Sequence, residues 1–172
     1  DEISDLFVFN QALVISDGIV TRIGSLTADF ERFTPWRVID EKDQSRQIAF
    51  ENELEGLITG IMTPKDLLDY VQNFVVYEKD SKNRVIKKIG AYHQFYGVNE
   101  AVDCTLHATA KNGDRKVGVF WHTQGSGKSL SMLFYAGKVL SRAELKNPTL
   151  VIVTDRNDLD GQLYATFCGG EA

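Results

Sequence analysis

Apolar positions along this chain switch between a period of two and a period near 3.6, and the switches mark its elements. Leu6 to Phe9, Ala12 to Ser16 and Ile19 to Ile23 are β-prone runs, the last two separated by Asp17-Gly18. That dipeptide between such runs predicts a hairpin, because the turn needs residues that tolerate positive φ. Residues 1–37 therefore predict a β-meander. The polar, proline-bearing stretch ERFTPWRVIDEKDQSR (31–46) predicts a connection, with a domain boundary near residue 40. Within Gln47–Met62, Ile48, Phe50, Leu54, Leu57, Ile58 and Ile61 fall near helical spacing, and Glu51, Glu53 and Glu55 between them read as a solvated face. Thr63-Pro64 starts a second helix that runs through Leu67, Leu68, Tyr70, Val71 and Phe74. Phe74–Tyr77 and Arg84–Ile89 then flank KDSKN as a hairpin.

Further on, Val98, Ala101, Val102, Thr105, Leu106 and Ala108 share one side of a helix ending near Gly113, with Tyr92-His93-Gln94 just ahead of it. Val117, Val119, Phe120 and Trp121 predict a buried strand, and Leu130, Met132, Leu133, Ala136, Val139 and Leu140 an amphipathic helix. After Lys146-Asn147-Pro148, TLVIVT (149–154) is wholly apolar, as a strand of a parallel sheet is, and DRNDLDGQLYATF leads from it into another helix. Strand, helix, strand, helix describes a right-handed βαβ unit.

The chemistry lies where the first of those strands meets its helix, in Thr123-Gln124-Gly125-Ser126-Gly127-Lys128-Ser129. Glycines at 125 and 127 let the backbone curl until successive amide N–H groups face one point, and the following helix adds its N-terminal amides and partial positive charge. Lys128 can then meet the β- and γ-phosphates of a nucleoside triphosphate, and the Ser129 hydroxyl can ligate the accompanying Mg²⁺. The strict phosphate-loop pattern has a glycine where His122 stands, but a GSGKS string between a strand and a helix supplies the required context. The fold class that follows is α/β, a partial RecA-like (P-loop NTPase) parallel sheet with helices, preceded by the meander. Gln94 adds a carboxamide that both donates and accepts, as adenine N6 and N7 require and guanine does not, and Tyr92 offers a ring to stack on a base.

Composition narrows the partners. The chain has 172 residues, 43% of them hydrophobic, and a formal net charge of −5, which argues against a uniformly basic nucleic-acid coat. Lys79, Lys82, Lys87 and Lys88 form the densest basic patch, either the charged edge of a hairpin or a local nucleic-acid contact. No apolar run suits a membrane, and Cys104 and Cys168 lack metal-ligand spacing, so a reduced cytoplasmic protein with two small buried thiols is the expectation.

WHTQGSGKS (121–129), YHQFYGVNEAV (92–102) and TDRNDLDGQL (154–163) resemble, in order and approximate spacing, the restriction (R) subunit of type I restriction-modification enzymes. ENELEGLITGI and LFVFNQALVISDG are similar to the region joining that subunit's nuclease domain to its motor. The resemblance implies a superfamily 2 helicase-like motor that hydrolyses ATP to pull double-stranded DNA, coupled to a nuclease and assembled with modification and specificity subunits. It also implies a division into the last strands of a nuclease domain (1–40), a helical connector and hairpin start (41–85), and the first half of an ATP-binding motor domain (86–172). By motif, Gln94 is the adenine reader, Gly125–Ser129 is motif I, and Thr154–Leu163 is motif Ia, where Thr154 and Arg156 face DNA. The nuclease carboxylates are expected upstream of Asp1 and the DEAH-like motif downstream of Ala172, so the chain alone is expected to bind nucleotide weakly and to neither hydrolyse ATP nor cut DNA. Two other readings fit the residues: a different superfamily 2 helicase or remodelling ATPase, and a non-catalytic nucleotide-binding assembly module.

Overall fold

Three turn and cap signals set the architecture of the amino-terminal part. In the computed structural model, which describes residues 7, 9–40, 47–80 and 82–153, Leu13–Ser16 (β1) pairs antiparallel with Thr21–Gly24 (β2), Ser16 opposite Thr21. Asp17 makes the turn: its Oδ1 accepts the backbone N–H groups of Ile19 (3.0 Å) and Val20 (2.7 Å), and Gly18 takes φ +97°. Because this loop takes four residues, Ile19 and Val20 lie in the turn rather than in β2. The first strand expected of the meander does not form where it can be seen. Phe7 is helical and Phe9 lies in a turn closed by Asn10 N–H on Phe7 O (3.0 Å), so the sheet is a single hairpin.

Val38–Ile39 (β3) and Gln47–Ile48 (β4) make a second, two-residue ladder. The helix expected over Gln47–Met62 is therefore shorter, Glu53–Ile61 (α1), because Asn52 caps it: its side chain accepts the Glu55 N–H at 2.8 Å. Thr63 caps Pro64–Asn73 (α2) in the same way through Asp66 N–H, with Pro64 in the first turn as its missing donor allows. Val75–Lys79 (β5) and Val85–Ile89 (β6) form the third hairpin, and all strand pairs among the described residues are antiparallel and two-stranded.

Trp36, Leu57, Ile61, Tyr70, Phe74 and Val76 form the core of this part. Trp36 meets Tyr70 edge to face (centroids 5.5 Å, 87°), and the Tyr70 hydroxyl donates to Gly90 O at 2.7 Å, which satisfies the polar tip of a fully buried ring. Burial pushes that phenol well above its usual pKa. Glu53 ties α1 to the first hairpin, its carboxylate accepting Thr21 N–H (2.7 Å) while its own N–H donates to Ile19 O (3.0 Å).

The chain divides into two compact units, residues up to His93 and residues from Gln94. Within the first unit, α1 and α2 share one core with β2, β3 and β5. Tyr92–Thr109 (α3) starts earlier than expected, so that Gln94 sits in its first turn instead of ahead of it. It carries Gln94, Phe95, Val98, Val102, Thr105 and Ala108 as its buried face into the second unit. Lys128–Ser141 (α4) buries Ser131, Phe134, Ala136, Lys138 and Val139.

The parallel sheet is the expectation the described residues do not bear out. Val117–Trp121 and residues 149–153 form no ladder, and Val119 is 94% and Val153 87% exposed. A strand of a parallel sheet is buried only when neighbours cover both edges and both faces, and no described segment does this for either run. Here the chain is mixed α/β with small antiparallel sheets. No helix among the described residues is long and apolar enough to cross a membrane.

Candidate functional site

The site is the turn that leads into α4. Gly125 and Gly127 both take φ +81°, the left-handed conformation that the double-glycine string predicts, and Gly127 is the N-cap of α4. No side chain caps that helix. Its first-turn amides, which in α1 and α2 are served by Asn52 and Thr63, are here left to whatever lies before the helix. Ser126 closes the loop, its hydroxyl donating to Thr123 O at 2.7 Å and its N–H reaching the same carbonyl at 3.4 Å.

Lys128, the first helical residue, folds its ammonium back over the loop to donate to Thr123 O at 2.9 Å. The group is exposed, and a neutral carbonyl is a weaker partner than an anionic oxygen, so a phosphate entering the loop would draw it across. Ser129 follows in the first turn, half-buried. Among the described residues no group of three or more His, Cys, Asp or Glu side chains could hold a metal ion.

Gln94 is brought to the loop from α3. Only 4% exposed, its Nε2 donates to Gly127 O at 3.1 Å and to Ser131 Oγ at 3.3 Å. The fit is close enough that a Cβ at position 127 would lie 2.8 Å from Gln94 Nε2. Two more polar pairs continue along the same helices: Thr105 Oγ1 and Tyr135 Oη at 2.7 Å, and the Lys138 ammonium on Asn99 Oδ1. Ser131 is a loop neighbour that motif reading passes over. The signal for it was available, since Ser131 and Lys138, seven residues apart, are polar residues on the buried face of an otherwise apolar helix.

The other expected residues are placed as follows. Thr123, Gln124, Gly125, Ser126, Gly127, Lys128 and Ser129 are contiguous in the loop and α4. Tyr92 opens α3, half-buried and edge-on to His93 (centroids 5.4 Å), and belongs to the first unit. Thr154 and Arg156 lie outside the described residues. His122, the departure from the strict pattern, sets its ring against Phe120 (centroids 4.4 Å), a packing role before the loop. In the lysine patch, Lys87 is buried and donates to Asn10 O (2.8 Å) and Gln11 Oε1 (3.3 Å), and Lys88 pairs with Glu78, so both serve the hairpin.

Comparison with known proteins gives first a class and then a family. Residues 93–172, which contain the whole loop, match the SWI2/SNF2 ATPase family. Over 171 residues the chain is 66% identical to the type I restriction enzyme HindI endonuclease subunit of Haemophilus influenzae, a match covering 99% of this chain and 16% of that protein. It is 37% identical over 183 residues to a protein named as the MjaIXP endonuclease subunit of a type I restriction enzyme in Methanocaldococcus jannaschii, covering 96% of this chain and 17% of that one. The SauCOLORF180P endonuclease subunit of Staphylococcus aureus is 27% identical over 162 residues, 94% of this chain and 16% of its own. No solved structure matches. Over the stretch it spans, about one sixth of those relatives' length, the chain belongs to the family of type I restriction enzyme endonuclease subunits.

Proposed function

We propose that this chain carries the ATP-binding loop of the motor in an ATP-dependent DNA translocase and endonuclease subunit of a type I restriction-modification system. The observation that carries the reading is the loop itself: two glycines at positive φ, an N-cap with no side-chain partner, and Lys128 exposed over the turn. Gly125, Ser126 and Gly127, with Thr123 and Gln124, wrap the phosphates, Lys128 offsets their charge, and Ser129 holds Mg²⁺. The ion supplies neutralisation of the phosphate oxygens when it is bound. Gln94 selects adenine over guanine through its carboxamide, and Tyr92 stacks on the base. Thr154 and Arg156 contact the backbone of double-stranded DNA, and the modification and specificity subunits complete the assembly.

In this proposal the apolar runs 117–121 and 149–153 are strands of a RecA-like sheet, and residues 1–40 the last part of a nuclease domain. The SWI2/SNF2 match alone also fits a DNA-dependent remodelling ATPase without a nuclease; the 66% identity to a restriction endonuclease subunit favours the first reading. The test is calorimetric titration of the chain with MgATPγS and MgGTPγS, beside Lys128→Ala. Wild type is expected to bind ATPγS in preference, and Lys128→Ala to lose at least about tenfold in affinity, the loss of one charge-assisted contact. A chain that is folded by circular dichroism and binds neither nucleotide would overturn the proposal.

A further inference from the structure

The Gly127 carbonyl receives three donors. Besides the ordinary helical bond from Ser131 N–H (3.0 Å), it takes Gln94 Nε2 at 3.1 Å and Ser131 Oγ at 3.4 Å. Two of the three come from side chains, and both side chains are buried, Ser131 fully and Gln94 nearly so. The carbonyl matters because of what is attached to it. The peptide between Gly127 and Lys128 is planar and trans, so its C=O and its N–H point in opposite directions. Fixing the carbonyl toward α3 and the body of α4 aims the Lys128 N–H out of the helix end, into the loop. A glycine in the left-handed region has few steric restraints of its own, so beyond the helical bond from Ser131 N–H the hold on this peptide comes from the two side-chain donors.

We propose that Gln94 and Ser131 are positioning residues for the phosphate loop, acting through the Gly127 carbonyl and independently of which base, or whether any base, is bound. The inference rests on the reading of this loop as a triphosphate site, and it adds to Gln94 a role that base selection does not require. Base selection needs only the carboxamide's edge, and it gives Ser131 no part. Loop positioning needs the donor of Gln94, involves Ser131 equally, and is felt by the phosphates alone.

The two roles separate with a ligand that has no base. Magnesium tripolyphosphate is titrated into the chain, its Gln94→Met and Ser131→Ala variants, and Lys128→Ala, with MgATPγS in parallel. Gln94→Met keeps the side chain's length and burial while removing the donor. Loop positioning predicts that tripolyphosphate affinity falls about three- to tenfold in both Gln94→Met and Ser131→Ala, the loss expected of one buried hydrogen bond. It also predicts a similar fall for MgATPγS in Ser131→Ala. Tripolyphosphate affinity unchanged in both folded variants overturns the inference and leaves the nucleotide site standing. No binding of either ligand by folded wild type overturns the nucleotide reading, and the inference with it. Should Gln94→Met fail to fold, Ser131→Ala decides alone, since only positioning gives that hydroxyl an effect on a ligand it does not touch.

Discussion

Two regions of the molecule, the core around α1 and α2 and the apolar runs on either side of the loop and α4, treat similar apolar residues in opposite ways. In the first, Leu57 and Phe74 are closed off from water by elements that follow one another along the chain; in the second, Val119 and Val153 stand almost wholly exposed. Hydropathy does not separate them, since the segments around Val119 and Val153 are at least as apolar as α1. Range of pairing does. β1 pairs with β2 through a turn that Asp17 and Gly18 form between neighbours, and β5 with β6 through a connection one residue longer. A parallel pair requires a crossover connection before its first hydrogen bond, and the two exposed runs are separated by the loop and α4. Short-range partners are present in the described residues for the first kind of strand and absent for the second.

The sharpest way to test this contrast is to make the same kind of truncation on each side of it. Leu57 is 1% exposed on α1 and belongs to the same core as Trp36 and Tyr70. Leu57→Ala removes buried carbon and leaves a cavity that a packed core only partly closes. It is expected to cost about 3 kcal/mol of unfolding free energy in urea denaturation. A loss below about 1 kcal/mol would mean that this core is far looser than its burial indicates.

That difference in range also separates what could be read from the sequence from what could not. Asp17-Gly18, Thr63-Pro64 and the glycines of GSGKS act through bonds to residues within four positions, and each forms the turn or cap that its chemistry predicts. α1 begins six residues after the start that periodicity predicts, because Asn52 caps it, and an Asn before a Glu-rich first turn is the sequence signal for that start. Within the site, the loop residues were legible because they are consecutive. Gln94 and Ser131 meet across 37 positions, and periodicity says only that each is polar on a buried face. The 93/94 division was invisible for a similar reason. It falls inside a continuous helix with no proline, glycine run or charge change to mark it.

A smaller effect belongs to the turn chemistry. Backbone N–H groups of Val20 and Ile19, bonded to the Asp17 carboxylate, hold its pKa below the ordinary 3.8. With the folded value depressed, the carboxylate favours the closed hairpin at all pH values above 3.8, and that contribution is lost as pH falls through the lower, folded value. Amide exchange at Ile19 and Val20 should therefore rise, after correction for intrinsic rates, on going from pH 5 to about pH 3, while the amides of α2 are unchanged. Asp17→Asn keeps an acceptor oxygen but cannot titrate, and should flatten that dependence. Equal acid sensitivity in the Asn variant would assign the loosening to some other group.

The smallest expected effect does most to define the contrast. Val119→Ala and Val153→Ala delete the same kind of carbon as Leu57→Ala, from positions 94% and 87% exposed. Little transfer free energy and no cavity term apply to atoms already in water, so each is expected to change unfolding free energy by less than about 0.5 kcal/mol. Running all three truncations in one denaturation series turns the exposure difference into an energy difference of several-fold. If Val119→Ala instead costs more than about 1.5 kcal/mol, these residues are buried in solution, either against one another or against a second copy of the chain. Concentration dependence of the midpoint tells the two apart, because only association makes stability depend on protomer concentration. A concentration-independent cost would be direct support for the RecA-like sheet, with 117–121 and 149–153 paired in a chain of this length, and it would remove range of pairing as the reason the two regions differ.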